Sequence, residues 1–154
     1  MKSVKRKCSR CGDPGLHLKK RPAIRTVAGH SFKASVSAQV CDSCGAVYFN
    51  GPALGDFDLA VANKLARAGV SDGEAIKFMR KAVGLPAVTL AELLDTSPET
   101  VSRWERGVSH IDRAAFAILA GIVTERADDR SDTLERLRAL RHPTRLGQMV
   151  QIDA

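Results

Sequence analysis

Along the first third of the chain, hydrophobic and polar residues alternate in the way that is typical of β-strands. Two such stretches, residues 24–28 and 32–40, are separated by Gly29-His30, which can form a turn. A further short strand is expected over residues 46–49. The pattern therefore predicts a β-hairpin or a small sheet. Its apolar positions are Ile24, Val27, Phe32, Ala34, Val36, Ala38 and Val40.

From Asp56 onward the apolar residues recur with a helical period instead. The stretch from Gly51-Pro52 to Gly55 is the expected boundary between the two patterns, and the second part of the chain is predicted to be helical. The expected helices are one from Asp56 that is ended by Gly69, one that starts at residues 71–74 and is stopped by Gly84, one opened by Leu85-Pro86, one from Pro98 to Arg106, one capped by Asp112, and one over residues 133–140.

The charge balance favours an anionic partner. Lysine and arginine number 24 against 17 aspartate and glutamate residues, which gives a formal net charge of +7. No apolar run approaches the ~20 residues of a membrane span. The basic segment 1–7 is not followed by an apolar stretch, so a secretory signal is not expected either. We therefore expect a cytoplasmic protein without a membrane partner.

All four cysteines lie in two C-x-x-C units, each followed by a glycine. The two intervening residues let both sulfur atoms of a unit reach one tetrahedral metal ion. A single unit would also be typical of a redox pair, but the duplication favours zinc, and disulfides are not expected in a reducing cytosol. Because large apolar residues are few here, the metal should supply much of the folding free energy. The predicted ligands of one structural Zn²⁺ ion are Cys8, Cys11, Cys41 and Cys44.

Two short helices joined by a tight turn form the middle of the helical part, and the second is well capped by Ser97 before Pro98. This is the layout of a helix-turn-helix unit. Val101 and Trp104 are expected to face the core. Four positions are expected to face outward: Glu99, Thr100, Arg103 and Arg106. An arginine there can contact guanine through two hydrogen bonds. A small helical bundle with an ordinary charged face is the alternative.

Three segments closely resemble the Cro/CI (Xre) family of helix-turn-helix repressors: Arg80–Leu85, Leu90–Leu94 and Thr100–Gly107. With the two cysteine units in front, residues 8–125 resemble the MqsA-type antitoxins that carry a YgiT-type zinc finger. The resemblance implies a bacterial transcription regulator that forms a homodimer through its helical domain and binds a palindromic operator in double-stranded DNA. For the antitoxins it also implies a ribonuclease toxin, held by the zinc domain, as protein partner.

The resemblance also assigns DNA-contacting residues. The base-reading positions of the family fall on Glu99 and Arg103. The sequence departs from the family at Ala87, where a glutamine often contacts phosphate, and at Glu99, where the antitoxin carries asparagine. A carboxylate facing DNA is repelled by phosphate but can accept a hydrogen bond from cytosine N4, so the role of Glu99 stays open. Phosphate contacts are expected from Lys81, Thr100, Arg106, Ser109 and Arg113, each of which can equally be ordinary surface.

Together these patterns predict an α+β fold, in which a small N-terminal zinc-ribbon-like β domain precedes an all-α, Cro/CI-like helix-turn-helix domain. The leucines of the last helix can extend a dimer interface or dock on their own chain, and the dimer is favoured. The expected limits are 1–52 for the zinc ribbon, 53–70 for a connecting helix, 71–126 for the helix-turn-helix domain and 127–154 for the C-terminal helix and tail.

The predicted function is a sequence-specific DNA-binding repressor, and the antitoxin of a toxin–antitoxin pair is the finer hypothesis. The alternative is a zinc-ribbon module for protein interaction whose helical half serves mainly for dimerisation. A thiol oxidoreductase is a third hypothesis. Because no paired base and nucleophile and no phosphate-binding loop accompany the cysteines, we expect no enzymatic activity.

Overall fold

The computed structural model describes residues 7–152, and it places a three-stranded antiparallel sheet ahead of six α-helices. Residues 1–6, which hold most of the basic N-terminal segment, and 153–154 lie outside the described residues. The order of elements confirms the predicted α+β fold. The elements are β1 (Leu16–Val27), β2 (His30–Cys41), β3 (Val47–Phe49), α1 (Gly51–Ala68), α2 (Gly73–Ala82), α3 (Ala87–Leu93), α4 (Pro98–Glu105), α5 (Arg113–Ala127) and α6 (Asp132–Leu140).

Strands β1 and β2 form a long hairpin whose turn consists of Ala28 and Gly29. Both residues have positive φ, 48° and 76°, as the favoured two-residue hairpin turn requires. The turn therefore lies one residue earlier than expected, because His30 already pairs with Val27 in the sheet. Strand β1 also begins earlier than predicted, at Leu16. This start was missed because the first half of the strand is rich in charged residues and shows no apolar alternation.

The apolar positions of the hairpin are not all buried. On β1, Ala23 and Val27 are buried, whereas Ile24 is 59% exposed. Ile24 and Val27 are three positions apart, so they face opposite sides of a strand whose side chains alternate. On β2, the buried positions are Val36, Ala38 and Val40.

Helix α1 begins at Gly51 rather than at Asp56, so the stretch expected to be a boundary is its first turn. Asn50 is the N-cap residue, and Pro52 lies in the first turn. Proline suits this position because its φ is preset and its missing N–H would have no helical partner there. Helix α1 buries the residues of one side. The buried residues are Phe57, Val61, Ala62, Leu65 and Ala66.

The helices that follow begin and end close to the expected residues. Ser97 caps α4 by accepting a hydrogen bond from the N–H of Thr100 at 3.2 Å, and Asp112 caps α5 by accepting one from the N–H of Ala115 at 2.9 Å. Helix α4 ends just before Arg106, which is its C-cap residue. The caps therefore position the two helices as the sequence predicts.

One hydrophobic core runs from the tip of the hairpin through the helices. Ala23, Val27 and Val36 of the hairpin belong to the same cluster as the buried residues of α1 to α5. The tip of the hairpin is therefore packed on the helical half rather than held apart from it. The largest fully buried helical side chains are Leu65, Ile76, Met79, Leu90, Val101, Leu119 and Val123.

Polar contacts accompany this packing. Arg25 of β1 donates from Nε to Asp58 of α1 at 2.6 Å, and its guanidinium lies 5.9 Å from the centre of the Phe57 ring. The N–H of Ala28, in the hairpin turn, donates to the carboxylate of Glu74 in α2 at 2.8 Å. The hairpin is thus tied to both α1 and α2.

Helix α6 is the last helix among the described residues. Leu134 and Leu137 pack against the core of their own chain, while Leu140 is 68% exposed. The dimer contact expected from these leucines stays a prediction, with Leu140 as the side chain still accessible to it. None of the described helices combines the length and the apolarity that crossing a membrane would require.

Candidate functional site

The two C-x-x-C units meet at the end of the sheet that is remote from the hairpin turn. All four Sγ atoms lie within 4.8 Å of one another. Cys8 and Cys44 have their sulfur atoms 3.6 Å apart, and so do Cys11 and Cys41. A tetrahedral zinc site with Zn–S bonds of about 2.3 Å separates its sulfur atoms by about 3.8 Å. The cluster therefore has the donor type and the size to hold one metal ion.

Each unit is shaped by its backbone. The N–H of Gly12 donates to the carbonyl of Cys8 at 2.8 Å, and the N–H of Gly45 donates to the carbonyl of Cys41 at 2.9 Å. Both glycines have positive φ, 79° and 70°, a conformation that other residues rarely adopt. The glycine after each unit therefore allows the tight turn that aims both sulfur atoms at the same point.

The side chain of Asp13 joins the two turns. Its carboxylate accepts hydrogen bonds from Ser43 Oγ at 2.7 Å and from the N–H of Gly15 at 2.5 Å. The Ser43 hydroxyl, and after it the Gly15 N–H, lower the pKa of the Asp13 carboxyl, because both donors stabilise the ionised form. This bond fixes the first unit relative to the second.

The thiols themselves are in unequal surroundings. The Tyr48 hydroxyl, 3.3 Å from Cys8 Sγ, lowers the pKa of Cys8 to about 6. The backbone N–H of Asp13 lowers the pKa of Cys11, but desolvation and the three neighbouring thiols raise it to about 12. Four crowded thiols cannot all ionise unaided, whereas a bound cation stabilises four thiolates together. The donor set therefore fits one metal ion bound by all four cysteines.

Two of these supporting residues were not predicted from the sequence. Asp13 directly follows the first unit in the turn-forming stretch Asp13-Pro14-Gly15, which is the signal that could have identified it. Tyr48 was predicted only as part of a strand. Its contact with Cys8 depends on the pairing of β3 with β2, which the sequence does not specify.

The second group of predicted residues lies on α4. Val101 and Trp104 are buried, 0% and 6% exposed, and fix α4 against the core. Glu99, Arg103 and Arg106 are exposed, and their spacing of four and three residues places them on one face of the helix. This face carries two positive charges and one negative charge at the surface.

The other carboxylate of α4, that of Glu105, does not lie on that surface because it forms a buried ion pair with Arg80. Arg80 of α2 donates from Nε to Glu105 at 2.5 Å and from Nη1 to the carbonyl of Leu85 at 2.7 Å. Both side chains of the pair are 9% exposed. The pair joins α2, the start of α3 and the end of α4, and it was not predicted from the sequence. The segment Arg80–Leu85 was recognised only by its resemblance to repressors.

The arrangement of α2 to α5, with α4 set across α3 and its polar face outward, agrees with a comparison with known proteins. The sequence profile of a helix-turn-helix family matches residues 76–121. Residues 76–121 form a Cro/CI-type helix-turn-helix domain. No curated protein matches the chain. The helix-turn-helix domain is a DNA-binding module of transcription regulators and not an enzyme family, and its match covers less than half of the chain.

Within the helix-turn-helix domain, the remaining predicted contacts lie at different places. Thr100 is half-buried beside Ser97, and Ser109 is half-buried in the loop after α4. Arg113 is exposed at the start of α5. Lys81 is exposed on α2 and borders a cleft together with Asp58 of α1. Contact with DNA stays a prediction for each of them.

Proposed function

We propose that the protein is a transcriptional repressor that binds a palindromic operator as a homodimer. The observation that carries the proposal is the exposed face of α4, where Glu99, Arg103 and Arg106 stand together on the second helix of a helix-turn-helix unit. In such units this helix enters the major groove and its side chains reach the base edges. Arg103 makes two hydrogen bonds to a guanine, and Arg106, Thr100, Ser109 and Arg113 contact phosphates.

Glu99 is the reader of a cytosine in this proposal. It lies in the first turn of α4, the part of the recognition helix that comes closest to base edges. Its carboxylate can accept a hydrogen bond from cytosine N4. The negative charge of Glu99 would be repelled by the phosphates of the DNA backbone, so the side chain is placed at the base edges instead.

Fluorescence anisotropy on DNA from the protein's own promoter tests the proposal. Wild type should bind tightly and lose affinity steeply as salt is raised. Arg103→Ala should cost about 1–3 kcal/mol and relax the preference for the operator over shuffled DNA. Arg67→Ala, an exposed change on α1, is the matched control and should leave binding unchanged. If wild type shows no palindrome-dependent, salt-sensitive binding, the proposal is wrong.

The metal in the four-cysteine site is Zn²⁺ in this proposal, and its role is structural. Four thiolates with no other ligand are typical of closed structural zinc sites. Elemental analysis of the purified protein should give one equivalent of zinc. Cys44→Ser should lower that content, whereas wild-type content should not change when DNA is bound.

A more specific function, the antitoxin of a toxin–antitoxin pair, is favoured by the outer face of β1. Leu18 and Ile24 are 71% and 59% exposed, and Lys20 lies between them on the same face. Large apolar side chains beside a positive charge suit a protein partner. Co-expression with the product of the adjacent reading frame should yield a complex that Leu18→Ser weakens and Leu140→Ser, on α6, does not. If both variants bind the partner equally well, the outer face of β1 is not the surface that binds it.

A further inference from the structure

A cleft of about 300 Å³ lies between α6, the end of α5 and the turn that joins α2 to α3. Three arginines line it, Arg126 and Arg130 from the end of α5 and the loop after it, and Arg138 from α6. Leu85 and Leu134 form part of its apolar wall. Three guanidinium groups against the one carboxylate of Glu125 leave the lining with a net positive charge, and no residue of α4 lines the cleft.

One carboxylate, that of Glu125, also lines the cleft. Glu125 accepts hydrogen bonds from the N–H of Thr133 at 2.7 Å and from its hydroxyl at 2.6 Å, and thereby holds the start of α6. Arg130 is paired with Asp132. Within residues 7–152, Arg126 and Arg138 form no ion pair. Two guanidinium groups thus share the cleft without a carboxylate bonded to either, and an anion in the cleft would be bound by charge-assisted hydrogen bonds.

The cleft adjoins the first helix of the helix-turn-helix unit. Gly84 and Leu85, which line it, directly precede α3. Farther along, Arg141 donates to Glu92 of α3 at 2.9 Å, so the end of α6 lies along α3. In helix-turn-helix complexes this first helix crosses the DNA backbone while the second enters the groove. Arginines beside the start of α3 are therefore placed next to the expected path of the backbone.

We infer that this arginine cleft binds a backbone phosphate of the DNA that flanks the bases contacted by α4. The inference rests on the proposed function and extends its interface beyond the matched residues 76–121. The guanidinium of Arg138 donates to two oxygens of one phosphate, for which its planar fork is well suited. Arg126, which forms no ion pair within residues 7–152, supplies further positive charge, and the contact adds affinity and fixes register without selecting a sequence.

Salt titrations of DNA binding test the inference. Arg138→Gln removes one phosphate contact, so the slope of log K against log[salt] should become shallower by about 0.9. Affinity near physiological salt should fall about five-fold, equally for operator and shuffled DNA. Arg136→Gln is the matched control, because Arg136 is exposed on the same helix, carries the same charge and does not line the cleft. Both variants should keep the thermal stability of wild type.

The outcomes separate the inference from the proposed function. If Arg138→Gln and Arg136→Gln change the slope equally, the effect is one of net charge and the inference is wrong. A second outcome is that phenyl phosphate shifts the NMR resonances of the cleft residues in the free protein, while Arg138→Gln leaves the slope of log K against log[salt] for DNA unchanged. The cleft then binds a free phosphoester, and the DNA contact is rejected. Failure of wild type itself to bind DNA would instead overturn the proposed function, and with it the premise of the inference.

Discussion

The two ends of the β1–β2 hairpin are stabilised by different chemistry. At the cysteine end the buried side chains are small, Ala38 and Val40 together with Cys8 and Cys41, and none of them belongs to the main hydrophobic core. At the turn end, Val27 and its neighbours join the core of the helical half. The same pair of strands thus ends in a cluster of four cysteines, the proposed metal site, on one side and in apolar packing on the other.

This difference indicates which part of the fold should need the metal for its stability and which part should not. A region with few apolar side chains cannot offset the conformational entropy of folding by burial alone. The helical half buries large side chains such as Leu65, Ile76 and Leu119, each worth about 1.5–3 kcal/mol. The transition between the two regimes lies within the hairpin, between Val36 and Ala38 on β2, and not at the sequence boundary near Gly51.

Removal of the metal should have the largest effect of any change. Structural zinc sites contribute about 10–16 kcal/mol of binding free energy, so chelation should unfold the cysteine end. Hydrogen exchange should show loss of amide protection over residues 8–20 and 38–48, with protection retained in α2 to α5. Cys44→Ser should reproduce this pattern without chelator, whereas Ser35→Ala, at an exposed position of β2, should not. Equal loss of protection in the helices would show that the two regions are not stabilised separately.

Breaking the Arg80–Glu105 pair should destabilise the helical half instead. Both side chains are 9% exposed, so Glu105→Gln leaves a buried guanidinium without its counter-charge, which typically costs about 3–5 kcal/mol. Urea denaturation followed by Trp104 fluorescence measures the loss. The double variant Arg80→Met, Glu105→Leu should recover most of the stability, since it removes both charges. Metal content should be unaffected in all of these variants, and a drop in it would contradict the separation of the regions.

Much of this fold could be predicted because the signals are local. The caps Ser97 and Asp112 each bond to an N–H within three residues, so the sequence around each helix start carries the information. The C-x-x-C units likewise form their turns from adjacent residues. The start of α1 was missed although Pro52 is a local helix-start signal, because the glycines beside it resemble a linker.

The features that could not be predicted depend on distant contacts. The choice of Val27 over Ile24 as the buried residue of β1 is set by packing on α1 and α2, and both residues are equally apolar in the sequence. The Arg80–Glu105 pair joins residues 25 positions apart, with no periodic signal between them. At the metal site, the ligands were predictable from spacing, but Tyr48 reaches Cys8 only through the pairing of β3.

A smaller effect is expected where α2 meets the recognition helix. A Cβ atom on Gly73 would overlap the backbone carbonyl oxygen of Trp104, so Gly73→Ala forces a backbone shift and should cost about 1–3 kcal/mol. Gly55→Ala is the matched control, because a Cβ there meets nothing within 4 Å and alanine favours the helix by about 0.4–1 kcal/mol. Urea midpoints should therefore move in opposite directions for the two variants. A stabilised Gly73→Ala would mean that α2 and α4 are not closely apposed.

The smallest effect is expected where the turn end of the hairpin contacts α1, and a double-mutant cycle can measure it. The side chains of Arg25 and Asp58 are 32% and 30% exposed, so solvent screens their ion pair, and the coupling between Arg25→Gln and Asp58→Asn should be about 0.2–1 kcal/mol. Arg25→Gln alone should cost somewhat more than Asp58→Asn, because it also removes the contact with the Phe57 ring.

Urea denaturation of the four proteins in the cycle, at low and at high salt, gives the coupling energy. It should shrink as salt is added, since partly exposed charges are screened. A coupling that does not depend on salt would contradict this account of the pair. A coupling of zero would mean that apolar packing of Val27 and Val36 alone fastens the hairpin to the helices. The turn end of the hairpin would then be held to the helices by the hydrophobic core alone, and the cysteine end would remain the separately stabilised region.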